Sequence, residues 1–322
     1  MSSSEASNED TEMCFHKEYV GIPPPPNTDL PTAHELLDLC DLKPPRGSIT
    51  LPTGSESPVF WVKYGRAVYW NEVVAQAMAH CELPRLGSPV RAPAVYYACT
   101  YKSTTFIVME HIPGKTSRQR LREAKSKAEE EHVIDLVALS LSELHRIPIP
   151  SGSRPAAVDG GRVRHALFSD REAPRHYENV DQIEIHFNEY FEWLKVVAKR
   201  SEQRITNLSL EPMVFCHSDL WADNFMIDDT GRAVVIDFDD VSILPSSFAK
   251  CALQDNNRRL GFDVSQRVWV PTAEGVDNTQ ALATVEGRMP IASAFLYRVG
   301  QRLPGGDQET QERIAKEFDL PY

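Results

Sequence analysis

The sequence predicts an α+β protein of two lobes, a small β-rich N-lobe and a larger, mostly helical C-lobe, with a cleft between them. Three observations carry this expectation. Between residues 47 and 112, apolar runs rich in Val, Phe, Tyr and Ile are interrupted by one helical stretch. After Pro113-Gly114 the apolar spacing turns helical. Further on, two short apolar runs, Met213-Val214-Phe215-Cys216 and Ala233-Val234-Val235-Ile236, flank a polar cluster rich in Asp.

Taken in order, residues 1–30 read as a disordered, Pro-rich tail: Ser, Glu and Asn give way to Pro23-Pro24-Pro25-Pro26. The N-lobe is expected over 31–113. Thr32-x-x-Glu35 is a capping-box pattern ahead of Leu36, Leu37 and Leu39, which predicts a short helix. Residues 59–64 read as a strand, and 68–80 as a helix carrying Glu72. Residues 94–99 and 105–110 read as an antiparallel pair joined by Tyr101-Lys102-Ser103-Thr104. The C-lobe is expected over 114–322. Val133, Leu136, Val137, Leu141 and Leu144 mark one face of a helix that ends before Pro148. A Pro/Gly-rich loop over 148–180 precedes helices at 183–199, 246–259 and 281–301.

Composition excludes several classes. The formal net charge of −12 argues against a nucleic-acid binder, which needs a basic face. Six cysteines contain no C-x-x-C pair, so neither a zinc knuckle nor a dithiol site is signalled. No apolar run approaches the ~20 residues of a membrane span, and the polar, acidic N-terminus lacks signal and transit patterns. A cytoplasmic protein without nucleic-acid or membrane partners is the expectation.

The chemistry concentrates in Cys216-His217-Ser218-Asp219-Leu220-Trp221-Ala222-Asp223-Asn224-Phe225 and in Val235-Ile236-Asp237-Phe238-Asp239. Phosphoryl transfer needs a carboxylate that orients the acceptor hydroxyl. It also needs an uncharged oxygen and a second carboxylate that hold magnesium on the phosphates. Asp219 supplies the first, and Asn224 and Asp237 the others. Asp219 and Asn224 are five residues apart, within reach of one short loop after an apolar strand. Asn224 and Asp237 are thirteen apart, a spacing that fits a hairpin turning at Asp228-Asp229-Thr230-Gly231. Asp228, Asp229 and Asp240 read as solubilising turn residues. Asp239 is open between a supporting role, a second metal ligand and the surface.

This composite, H-x-D-x-x-x-x-N with a D-F thirteen residues on, resembles the protein-kinase-like aminoglycoside phosphotransferase and choline-kinase-like family, most closely its fungal-type members. The resemblance spans roughly 47–260. It includes Val62-Lys63-Tyr64-Gly65, Asn71-Glu72, Ile107-Val108-Met109-Glu110 with Pro113-Gly114, Val158-Asp159-Gly160-Gly161 and Leu244-Pro245-Ser246-Ser247-Phe248. It implies ATP and Mg²⁺ as cofactors and a small-molecule acceptor. It assigns Lys63 to the α/β-phosphates, held by Glu72, and adenine recognition to the Glu110 carbonyl and the Ile112 amide. His217 is structural in such folds. Two positions depart from the family pattern. The turn 51–58 that would cover the phosphates has one glycine, Gly54, and Ser218 stands where the H-G-D form has Gly.

Other readings fare worse. Gly114-Lys115-Thr116 looks like the end of a P-loop, but Met109 stands where that motif needs its first Gly. A protein kinase is disfavoured, because no A-P-E segment follows Asp237 and Leu244-Pro245 arrives too soon for a long activation loop. The alternative kept beside the kinase is a kinase-fold binding module that holds nucleotide or a partner with little catalysis. The Gly-poor phosphate turn motivates it.

Overall fold

The computed structural model describes residues 17–41, 46–52, 57–101, 103–168, 171–198, 203–254 and 259–285. The chain divides into two compact units, one formed by residues 1–69 and 95–111, the other by 70–94 and 112–322.

The first unit is built on a five-stranded antiparallel sheet of order β1-β4-β5-β3-β2. Its strands are β1 (Lys17–Val20), β2 (Arg46–Leu51), β3 (Phe60–Gly65), β4 (Val95–Tyr101) and β5 (Thr104–Glu110). Central β5 is buried along its middle, as the run Phe106-Ile107-Val108-Met109 demands, and pairs Tyr97 with Val108 and Val62 with Val108 on its two sides. Helix α1 (Ala33–Asp41) begins at the expected capping box: Thr32 N donates to Glu35 Oε2 at 2.7 Å and Glu35 N to Thr32 Oγ1 at 3.2 Å.

The expected tail over 1–30 is corrected at its end. Lys17–Val20 pairs with β4, Lys17 opposite Thr100 and Val20 opposite Tyr97, and Gly21 N donates to Tyr96 O at 2.9 Å. A strand with one neighbour carries little hydrophobic signal of its own, because the partner's edge decides it. Residues 1–16, Lys102, Thr53, Gly54, Ser55 and Glu56 of the phosphate turn, and 286–301 of the last expected helix lie outside the described residues.

The second unit holds α2 (Trp70–Arg85), α3 (Ser117–Glu123), α4 (Lys127–His145), α5 (Val180–Ala198), α6 (Ser246–Gln254) and α7 (Thr279–Val285). It also carries two three-stranded antiparallel sheets. One orders β10 (Ala233–Val235), β9 (Phe225–Asp228) and β6 (Gly114–Thr116); the other orders β7 (Ala156–Ala157), β11 (Val241–Pro245) and β8 (Met213–His217). One buried cluster packs Val137, Leu141 and Leu144 of α4 with Phe215, Phe225, Val235 and Phe238. A second packs Phe187 and Tyr190 of α5 with Val214 and Phe248. The stripe read on α4 is therefore the face that holds the Asp-rich hairpin. Among the described residues between 148 and 179, the two-residue β7 and an isolated bridge between Arg164 and Glu172 interrupt the chain, in keeping with its Pro and Gly content.

Gly114-Lys115-Thr116 is a strand, not a phosphate loop. Gly114 has φ of +156°, and a Cβ there would stand 2.5 Å from Ile227 O, so glycine lets β6 close on β9. Thr116 then caps α3, its hydroxyl accepting from Gln119 N.

Candidate active site

The Asp-rich segment is closed at both ends by backbone pairing. β8 ends at His217, which sits opposite Val241 of β11, and Ser218 N donates to Asp240 O at 3.0 Å. Between them the chain makes a single helical turn (Ala222–Asn224), runs out along β9 and returns along β10. The turn between these strands needs Gly231 at φ +86°. Asp228, only 6% exposed, fixes the turn with Oδ1 accepting from Thr230 N, Thr230 Oγ1 and Arg232 N. Asp228 is thus a structural turn residue, correcting its reading as a solubilising one. Past β10, Ile236 N donates to Asn224 O at 2.9 Å. The expected hairpin is present, and Asp237 follows directly on the residue bonded to Asn224.

Asp219 and Asn224 meet. Asn224 Nδ2 donates to Asp219 O at 2.8 Å and to Asp219 Oδ2 at 3.3 Å. With the amide nitrogen so engaged, Asn224 Oδ1 is the atom left to face a cation. Asp237 has φ of +62°, a left-handed conformation uncommon outside glycine. It is held there partly by His217, whose Nε2 lies 3.1 Å from the Asp237 carbonyl. His217 is buried, which drives its pKa down and keeps the ring neutral, so it serves as a fixed donor to that carbonyl.

Asn71, at the start of α2, is buried and ties three segments together. Its Nδ2 donates to Asp239 O at 2.8 Å and Val241 O at 2.9 Å, and its Oδ1 accepts from Asp159 N at 3.3 Å. Two of the sequence motifs, Asn71-Glu72 and Val158-Asp159-Gly160-Gly161, are thereby joined to the chain that follows Asp237. From the other side, Ser117 Oγ donates to Ala222 O at 2.5 Å. Asp223 accepts from Thr116 Oγ1 at 3.0 Å and from Arg118 Nε at 2.6 Å.

Sequence reasoning missed the arginines. Arg171 Nη1 lies 2.6 Å from Asp219 Oδ1 and 2.6 Å from Asp240 Oδ2, and only the Asp240 contact is aligned as a hydrogen bond. Arg259 Nη1 lies 3.6 Å from Asp219 Oδ1. Arg164, buried, reaches Asp240 Oδ1 at 3.0 Å and Asp239 Oδ2 at 3.2 Å. Asp240, 1% exposed, is therefore an interior carboxylate rather than a solubilising one. Burial pushes its pKa up, opposed by Arg164 and Arg171. Arg164 and Arg171 sit in irregular chain and Arg259 beyond the end of α6, where no periodicity marks a residue as inward-facing.

The residues assigned to the nucleotide are divided between the units. Lys63, half-buried, lies on β3 with Ser48 and Ile107 opposite, and Glu110 ends β5 opposite Phe60. Glu72 is buried in the first turn of α2, and Ile112 is buried in the second unit.

Magnesium bound with nucleotide takes one or two protein carboxylates and completes its shell with phosphate oxygens and water. Among the described residues no group of three or more His, Cys, Asp and Glu is placed to hold a metal alone. The donor set here, one amide oxygen pre-oriented by Asp219 and one carboxylate, fits a cation that arrives on a nucleotide.

The model of the phosphotransferase enzyme family, APH, matches residues 74–246, more than half of the chain and the whole closed segment. No curated protein sequence matches. Similar solved structures include a thermostable mutant of aminoglycoside phosphotransferase APH(4)-Ia in ternary complex with AMP-PNP and hygromycin B. It is 13% identical, covers 84% of this chain and 91% of its own, and has a TM-score of 0.45. Another is AMP-bound spectinomycin phosphotransferase APH(9)-Ia, 14% identical over 82% and 84% with a TM-score of 0.41. A third is an aminoglycoside phosphotransferase from Alicyclobacillus acidocaldarius, 11% identical over 86% of each chain with a TM-score of 0.40. On the family match, this chain belongs to the phosphotransferase enzyme family.

Proposed function

We propose that the chain is an ATP-dependent phosphotransferase that acts on a hydroxyl of a small metabolite. The observation that supports this most is the pairing of Ile236 N with Asn224 O at 2.9 Å, which sets Asp237 directly after the residue bonded to Asn224, itself bonded to Asp219. ATP with Mg²⁺, when bound, supplies the phosphoryl group and the positive charge that offsets its oxygens. Asn224 and Asp237 hold the metal. Asp219 orients the acceptor hydroxyl and takes its proton as the acceptor oxygen bonds to the transferred phosphorus and the bond to ADP breaks. Lys63, supported by Glu72, holds the α/β-phosphates, and the Glu110 carbonyl and Ile112 amide hold the adenine. In this reading residues 31–113 carry the nucleotide and 114–322 the metal and acceptor. The choline-kinase-like, fungal-type character rests on the sequence motifs.

A panel of hydroxylated metabolites screened for ATP consumption tests the activity, and Asp219→Asn tests the base. The expected result is turnover reduced by about 10²–10⁴-fold with ATP–Mg²⁺ affinity little changed. Equal turnover in parent and variant contradicts the role of Asp219. Clear ATP–Mg²⁺ binding with no turnover on any acceptor moves the account to the binding module.

A further inference from the structure

The charges around Asp219 say something about the acceptor, given the phosphotransferase reading above. Arg171 and Arg259 converge on the same oxygen of Asp219, at 2.6 and 3.6 Å. Both are partly open, their side chains 36% and 25% exposed, while Asp219 is 12% exposed. Arg171 spends one nitrogen, Nη1, on Asp219 and Asp240; among the described residues its Nε and Nη2 have no partner. The Arg259 guanidinium makes no hydrogen bond among the described residues and lies 5.9 Å from the centre of the Trp221 ring, an indole that is itself exposed.

Three of the neighbouring acids are themselves paired. Asp239 and Asp240 are held by buried Arg164, and Glu172 by Arg162 and Arg164. The arginines 162, 164, 171 and 259 thus face Asp219, Glu172, Asp239 and Asp240, four charges against four, with Asp237 outside this set and assigned to the metal in the reading above. A subsite that selects a cationic acceptor needs uncovered carboxylates around the base. Here the base is covered by two guanidiniums that keep donors unspent among the described residues.

We propose that the acceptor carries an anionic group, a carboxylate or a phosphate ester, beside its reacting hydroxyl, and that Arg171 and Arg259 read that group with Trp221 as the adjoining wall. Guanidinium forks match both anions bidentately. Engagement of Arg171 by the anion draws Nη1 from Asp219 Oδ1 and leaves that oxygen for the hydroxyl proton. The anion therefore both anchors the acceptor and uncovers the base.

The test compares four acceptor classes on the full chain with ATP–Mg²⁺: hydroxycarboxylates such as glycerate, hydroxylated phosphate esters such as glycerol 3-phosphate, neutral polyols and sugars, and amino alcohols or aminoglycosides. Binding of each class is also measured calorimetrically without turnover. The carboxylate and phosphate-ester arms tell the two anions apart. One anionic class is expected to exceed the neutral and cationic classes in kcat/KM by about tenfold or more. Arg259→Ala and Arg171→Lys should raise its KM and calorimetric Kd about ten- to hundredfold while the ATP–Mg²⁺ Kd stays fixed. The melting temperature of each variant shows whether it is folded, and Arg171→Lys keeps a cation beside buried Asp240. A cationic or neutral preference, or an anionic preference that both variants leave unchanged, overturns the inference and leaves the phosphotransferase reading standing. Absence of ATP–Mg²⁺ binding in the folded parent removes that reading, and this inference with it.

Discussion

Single residues in this chain act by bonding several segments at once, and Glu211 shows how much one can hold. It is buried, and its carboxylate accepts from Ser247 N at 2.8 Å, Ser247 Oγ at 2.7 Å and Asn278 Nδ2 at 2.8 Å. It thereby joins the approach to β8, the first turn of α6 and the start of α7. Glu211→Ala strands these donors in the interior, and a loss of about 2–4 kcal/mol is expected, read from urea unfolding; a loss under ~0.5 kcal/mol contradicts this account of Glu211. The approach of Asn224 to Asp219 and to the residue before Asp237 was legible in the sequence, because it depends on spacing along one continuous hairpin. Arg171 and Arg259 were not. They stand 48 residues before and 40 after Asp219, and only the folded path of the chain brings them to it.

Among the elements, those with their own hydrophobic period were readable: α4, β5, and the β9–β10 hairpin all lie where the pattern put them. Those defined by a neighbour were not. β1 exists because β4 offers an edge, β11 because β8 does, and β6 because Gly114 lets it approach β9. β6 has a particular consequence, since Thr116, Ser117 and Arg118 at its end brace Asp223 and Ala222 beside Asn224. Gly114→Ala would set its Cβ 2.5 Å from the Ile227 carbonyl at a backbone angle that disfavours a side chain. The expected cost is about 1–3 kcal/mol, together with weaker ATP–Mg²⁺ binding if the brace positions Asn224. A variant as stable as the parent would show that β6 does not hold that approach in solution.

At the scale of the whole molecule, buried histidines couple stability to pH. His145 and His165 are pushed down to about 4 and His186 to about 3 by burial, despite carbonyl partners at Trp269 and Phe248 for the first two. The unfolded chain takes up these protons near pH 6.5 while the folded chain does not. Unfolding therefore becomes easier as pH falls from about 6.5 towards 4, by up to about 1.4 kcal/mol per pH unit for each such histidine. A midpoint of urea unfolding that stays flat between pH 7 and 5 contradicts this. The central claim is the nucleotide–metal site, and calorimetric titration with ATP tests it most directly, with and without Mg²⁺, on the parent and on Asp237→Asn. Asn keeps the volume and one oxygen of Asp but loses the charge that magnesium requires. The account predicts that the parent binds ATP in a Mg²⁺-dependent manner. It also predicts a rise in melting temperature that corresponds to about 2.7 kcal/mol at a hundred times the dissociation constant. Asp237→Asn should fold and lose the Mg²⁺ dependence. Equal Mg²⁺-dependent binding by parent and variant, or no ATP binding by the folded parent, would contradict it.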